Sequence, residues 1–155
     1  MKTRPYADTD LEAVAELFTA SIHALAVDAY DAEQRAAWAP RPPDPVEWRS
    51  RLAGLQVLVA EADGALAGFI AFTDDGHIDL LYTAPAAARR GVASALYREA
   101  EQHLVAAGVT ALRTEASLVA APFFACQGFA IVETERVIRR GVAFQRHAMH
   151  KALGS

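Results

Sequence analysis

The residue types best suited to chemistry lie between Leu80 and Tyr97, where Arg89-Arg90-Gly91-Val92-Ala93-Ser94 sets a basic pair before a glycine and small side chains. A strand ending near Pro85 and a helix opening at Gly91 would leave the N–H groups of Val92, Ala93 and Ser94 without partners inside the helix. Gly91, Ala93 and Ser94 carry little bulk, so a ligand can approach the backbone, and the positive end of the helix dipole favours an anion. Arg89 and Arg90 add fixed charge and forked donors that suit phosphate oxygens. The stretch therefore predicts a turn that grips a pyrophosphate. His77 and Asp79 stand two apart on a predicted strand and share a face, but two ligands without a third predict no metal site. Cys126 is the only cysteine, which excludes an internal disulfide and a zinc cluster and reads as a buried structural thiol in a reducing compartment.

The elements that must position this turn follow from periodicity and punctuation. Lys2 to Tyr6 reads as a first strand. Thr9-Asp10-Leu11-Glu12 has capping-box spacing, and Leu11, Val14, Ala15, Phe18, Ile22 and Leu25 recur at three and four to mark the buried face of a helix. Asp31 caps a short helix to Trp38 that Pro40, Pro42 and Pro43 break, and Asp44-Pro45-Val46-Glu47 opens another that ends near Gly54. Gln56–Glu61 and Ala65–Thr73 flank Asp63-Gly64 as a hairpin, and His77–Tyr82 adds a third antiparallel strand. After the helix from Gly91 to Ala107 come a strand at Thr110–Glu115, a short helix at Ala120–Gln127 and strands at Phe129–Val137 and Val142–Met149, turned by Arg139-Arg140-Gly141. The sum is an α+β fold with a largely antiparallel sheet flanked by helices.

Composition narrows the class. A chain of 155 residues, 53% hydrophobic, can bury one sizeable core, so a single domain over 1–155 is expected. No stretch of apolar residues is long enough for a membrane helix and no secretory signal is visible after Met1, which predicts a cytoplasmic protein with no membrane partner. The formal charge of −4 disfavours nucleic acid and mildly favours cationic ligands.

Residues 77–98 resemble the coenzyme A-binding motif of the GCN5-related N-acetyltransferase (GNAT) family, in which glutamine or arginine is followed three residues later by glycine and two after that by glycine or alanine. Gly91 and Ala93 match. The leading position falls on Ala88, leaving Arg89 or Arg90 to supply the cation. Ala121-Pro122-Phe123-Phe124-Ala125-Cys126-Gln127-Gly128-Phe129 is similar to the family's helix-to-strand segment that ends in glycine-phenylalanine. With the N-terminal helix, the hairpin and the closing strands, the resemblance spans essentially the whole chain.

That resemblance implies a GNAT acyl-CoA N-acyltransferase fold, in which the strand before the motif splays from a parallel neighbour and acetyl-CoA, the co-substrate, lies in the gap. Leu81, Tyr82 and Thr83 would bond its pantetheine arm through the backbone, Thr110 to Ser117 would form the opposite wall, and Arg89, Arg90, Gly91, Val92, Ala93 and Ser94 would take the pyrophosphate. The implied reaction is direct attack by a primary amine of a small molecule or peptide on the acetyl carbon. Candidate bases are Glu115, Asp79 and His23. The family's usual tyrosine, which protonates the leaving thiolate, is replaced by Phe124, a packing residue, so that Tyr30, Tyr82, water or unaided departure would serve. Ser117 stands where an asparagine commonly meets the cofactor, and either keeps a weaker bond to it or caps the helix that follows. Ile22, Tyr30 and Trp38 would line the acceptor pocket, with Asp28, Asp31 and Glu33 near its mouth attracting a cationic acceptor. A noncatalytic acyl-CoA sensor on the same fold is the alternative, and a homodimeric assembly is left open.

Overall fold

The computed structural model describes residues 1–154. Seven strands form one sheet in the order β1-β2-β3-β4-β5-β7-β6, with β1 at Lys2–Pro5, β2 at Gln56–Ala62, β3 at Ala65–Phe72, β4 at His77–Thr83, β5 at Ala111–Ser117, β6 at Ala130–Arg139 and β7 at Val142–Ala152. Every neighbouring pair is antiparallel except β4 with β5. Helices α1 (Leu11–Leu25), α2 (Ala32–Trp38) and α3 (Pro45–Leu52) cover one face, and α4 (Val92–Ala106) and α5 (Ala121–Cys126) cover the other.

The core divides accordingly. Val14, Phe18 and Ile22 of α1 pack with Val59, Phe69 and Leu80 of the sheet on the first face. Leu96, Tyr97 and Leu104 of α4 pack with Ile70, Phe72, Ile78 and Met149 on the second. Ile78 and Leu80 are two residues apart on β4, yet they face opposite sides of the sheet. The register explains this: Ala71 pairs with Leu80 and Phe72 with Ile78, so Asp79 is an extra, unpaired residue. A bulge of this kind interrupts the alternation of side chains and bends the strand that carries it. The expectation that His77 and Asp79 sit on a regular, alternating strand is corrected by it.

Local signals operate much as their chemistry dictates, with two differences. Asp31 accepts the N–H of Gln34 at 2.8 Å while the Gln34 amide oxygen accepts the N–H of Asp31 at 2.9 Å, a reciprocal cap for α2. Asp44 accepts the N–H of Val46 to open α3, but Glu47 does not answer it and pairs with Arg140 instead. The first helix starts without a Thr9–Glu12 box. Asp8–Asp10 forms a 3-10 turn, and Asp10 accepts the N–H of Ala7 at 2.8 Å while also accepting from the Arg4 guanidinium, which fixes the entry to the helix. Among the described residues no helix is long and apolar enough to cross a membrane.

Candidate active site

The site is built where the sheet comes apart. Strands β4 and β5 are paired only at His77 with Arg113 and Ile78 with Thr114. Immediately beyond, the bulge at Asp79 turns β4 aside, and the Thr114 hydroxyl takes up the Ile78 carbonyl at 2.8 Å. From there Asp79–Thr83 and Glu115–Ser117 diverge, and the wedge between them is closed behind by Ala120 and Phe124. Backbone groups of Leu81, Tyr82 and Thr83 that point toward β5 therefore lack a strand partner, the condition for binding an extended ligand as a surrogate strand.

On the α4 side the wedge widens into a groove lined by Leu81, Thr83, Arg89, Ala93, Phe123 and Phe124, with Ile22 and Leu25 of α1 on its far wall. Gly91 is the N-cap of α4 and is left-handed at φ 81°, and no side chain caps the N–H groups of the first turn. Arg89 is also left-handed, at φ 62°, a conformation uncommon for a residue with a Cβ. Left-handed residues alternating along a loop turn successive N–H groups into one concavity, the backbone arrangement that holds anions. The space beside Gly91 is open. Val92 contributes only its backbone, since its side chain is buried against Gly68 of β3. Ala93 and Ser94 are half-buried, and Arg89 and Arg90 are exposed at the rim.

On the opposite side the wedge opens into a second cleft, whose wall carries the carboxylates Asp79 and Glu115 and the rings of Tyr30, Trp38, Tyr82 and Phe144. Tyr82, Trp38 and Ser117 line both clefts, so the two meet across these three residues. His77 Nε2 lies 2.8 Å from Glu115 Oε1, and both side chains are largely covered. The imidazole thus fixes the carboxylate that faces the cleft. Asp79 has no hydrogen-bond partner among the described residues and is aimed by the bulge alone.

The remaining residues singled out from the sequence are placed as follows. His23 does not line either cleft; its Nε2 lies 2.8 Å from the Ala39 carbonyl and fastens α1 to the chain after α2. The Tyr30 hydroxyl donates to the Gln145 carbonyl and accepts the Leu118 N–H, both at 2.9 Å, so it is fully engaged in pinning β5 and β7. Burial raises its pKa further. Tyr82 has no such partner, and burial among Phe18, Trp38 and Phe69 pushes its phenol up to about 12. The Ser117 hydroxyl accepts the Ala120 N–H at 3.1 Å, stabilising the turn into α5. Phe124 is buried edge-on to Phe123 and Phe129 with one side toward the groove. Ile22 sits on the groove wall rather than in the second cleft. Cys126, expected to be buried, is exposed at the end of α5. Among the described residues no three His, Cys, Asp or Glu side chains converge as a metal-binding group.

Asp28, Asp31 and Glu33 do not reach the second cleft, and Asp31 is spent on capping α2. The charges found there instead, besides Asp79 and Glu115, are Arg51, Arg139 and Arg146. None of these arginines stands out in the sequence as a site residue, because they are brought together from α3, β6 and β7 by folding alone, and His77, weighed in the sequence only as a metal ligand, is found instead against Glu115.

Three comparisons bear on the arrangement. The family model described as "Acetyltransferase (GNAT) domain" matches residues 26–151. The chain is 33% identical over 149 residues to the uncharacterized N-acetyltransferase YafP of Escherichia coli (strain K12), covering 96% of this chain and 94% of that protein. The crystal structure of a GCN5-related N-acetyltransferase from Rhodopseudomonas palustris, described also as "Aminotransferase, Class-II", superposes with a TM-score of 0.93 at 34% identity, over 98% of this chain and 95% of that one. PaiA N-acetyltransferase from Thermoplasma acidophilum, solved in complex with coenzyme A, shares the fold with a TM-score of 0.76 at 22% identity, over 97% and 98% of the two chains.

Proposed function

The chain belongs to the GNAT acetyltransferase family, and from that premise we propose that it transfers the acetyl group of acetyl-CoA directly to a primary amine of a small molecule or peptide. The observation that carries this reading is the wedge between β4 and β5, which joins an uncapped helix start on one side to a carboxylate-bearing cleft on the other. The groove fits the co-substrate in kind. Its uncapped N–H groups and the arginines at its rim suit a pyrophosphate, and the unpaired edge of β4 suits the amides of a pantetheine arm.

In the reaction the acceptor nitrogen bonds to the thioester carbon, an oxyanion forms, and the carbon–sulfur bond then breaks to release the coenzyme A thiolate. In this reading a backbone N–H of β4 near Leu81 stabilises the oxyanion. An amine with a pKa of ~10.4 is protonated at neutral pH, and freeing it at pH 7 costs about 4.6 kcal/mol. Glu115, held by His77, and Asp79 on the bulge are the groups that take that proton and the second one the nitrogen sheds once it has bonded to carbon, directly or through water. Tyr82 stays in the hydroxyl form and donates a hydrogen bond to the departing sulfur. With a pKa near 12 it is too weak an acid to protonate a thiolate whose thiol has a pKa of about 8.5. The thiolate leaves as such and is protonated by solvent, consistent with phenylalanine at position 124.

A thermal shift assay and a thiol-release assay test the proposal together. Coenzyme A at about 100 times its dissociation constant should stabilise the protein by about 2.7 kcal/mol, a rise of roughly 5–10 °C. Acetyl-CoA with a panel of primary amines should release thiol. Stabilisation without release on any amine would make the protein an acyl-CoA sensor, and stabilisation by nucleotides but not coenzyme A would overturn the assignment of the groove.

A further inference from the structure

Resting on the acetyl-transfer reading above, we propose that the acceptor carries a carboxylate as well as its amine, and that Arg51 and Arg139 form the subsite that binds this carboxylate. Both line the second cleft together with Asp79 and Glu115. Among the described residues neither makes a hydrogen bond or an ion pair. Their neighbours differ: Arg146 of the same cleft donates to Glu135 at 2.9 Å, and Arg140, next in sequence to Arg139, pairs with Glu47 at 3.0 Å. The protein therefore neutralises the adjacent arginines and leaves these two for something else.

Arg51 is positioned by aromatic rings rather than by an acid. Its guanidinium lies 5.6 Å from the ring centre of Phe18 and 5.4 Å from that of Trp48, which fixes the fork while leaving its donors uncommitted. Arg139 reaches the cleft from the end of β6. Its burial, and then the nearby charge of Arg51, disfavour its protonated form, so the two cations are close enough to repel. Asp79 offsets part of that repulsion from a distance, but neither guanidinium has a carboxylate in direct contact, and two half-buried like charges in that state gain from a ligand that supplies one. A carboxylate matches the planar fork of arginine and would relieve that repulsion. The pyrophosphate of coenzyme A is not the anion in question, since the helix start that suits it lies on the other side of the sheet, at Arg89 and Gly91.

The cleft thus presents carboxylates where an ammonium must lose its proton and guanidiniums where a negative group must rest. An amine that also carries a carboxylate, an amino acid in the general sense, satisfies both ends. The net charge of −4 points toward a purely cationic ligand, but within the cleft the arginines set the local field.

The test is thiol release from acetyl-CoA with matched pairs of acceptors, each amino acid against its decarboxylated amine, with aminophosphonates as a third arm and polyamines as a fourth. The amino acids should exceed their partners in kcat/KM by at least about 10-fold, and aminophosphonates should fall below the amino acids. Arg139→Gln and Arg51→Gln should each lower the amino acid to amine ratio by roughly 10- to 100-fold, through KM more than kcat. Arg136→Gln, on the exposed side of β6, should keep the ratio. Thermal scans check that the variants fold, and Arg139→Lys should restore part of the ratio. Faster transfer to decarboxylated amines or polyamines, or a ratio that both variants leave untouched, would overturn the carboxylate subsite while acetyl transfer stands. Preference for aminophosphonates would replace carboxylate by phosphonate. Absence of transfer to every acceptor, with coenzyme A still binding, would remove both the subsite and the proposed reaction.

Discussion

At the scale of single residues, the carboxylates at the wedge sit in different surroundings. Glu115 is clamped by His77 at 2.8 Å, whereas Asp79 depends on the backbone bulge for its direction. If Glu115 removes the acceptor's proton, Glu115→Gln should reduce kcat/KM at pH 7 by about 100-fold or more. The residual rate should then rise about tenfold per pH unit toward the amine pKa of ~10.4, because only amine already deprotonated in solution can react. A parallel series with Asp79→Asn and His77→Ala, followed as pH profiles, separates the roles. A Glu115→Gln profile parallel to that of the parent protein would assign the proton to Asp79 or to water.

At the scale of elements, the position of α4 over the sheet depends on a missing side chain. A Cβ at Gly68 of β3 would meet Val92 Cγ1 at 2.8 Å and the Tyr82 carbonyl at 2.9 Å. Neither can yield cheaply: the first belongs to the buried start of α4 and the second is backbone of β4. Gly68→Ala should therefore cost about 1–3 kcal/mol, a fall in Tm of roughly 2–12 °C, and should weaken coenzyme A binding by moving the helix start away from the wedge. Differential scanning with and without coenzyme A measures both effects. An unchanged Tm with unchanged coenzyme A stabilisation would show that the helix does not need this close approach.

At the scale of the whole molecule, charge is distributed so that the edge of the sheet and the cleft behave differently. Arg4 on β1 ties the start of α1 through Asp10 and the edge of β2 through Glu61. The hydrogen bond from Arg4 is the main cause that holds the Asp10 carboxyl below its ordinary range. A carboxyl whose folded pKa lies below its unfolded value of ~3.9 contributes stability above that pH and loses it as the pH falls through the folded value. Asp10→Asn should accordingly destabilise the protein by about 1–3 kcal/mol at pH 7, and the gap to the parent should narrow once the pH drops below about 4. Urea midpoints at pH 7 and pH 3 read this directly, and a gap that stays constant with pH would show that the charge of Asp10 is not what stabilises the edge.

Much of the fold was legible because its signals are local. The helix faces, the Asp31 and Asp44 caps, the Asp63-Gly64 hairpin and the glycine turn at Arg89–Ser94 each depend on residues within a few positions of one another. The two sides of the wedge could be named as strands for the same reason, and the resemblance to the GNAT family ordered them. What required the tertiary structure was everything that depends on register or on distant partners. The bulge at Asp79 comes from how β4 pairs with β3, and no residue at 77–83 announces it. His23 looked available for chemistry until Ala39, sixteen residues away, took its ring nitrogen, while His77 found Glu115 thirty-eight residues on. Local sequence signals were enough for a family, a helix start left without a side-chain cap and the strands that flank it. Only the fold decided which carboxylates meet the cleft and that two unpaired arginines share it with them, since side chains so far apart in the chain acquire a common electrostatic environment through packing alone.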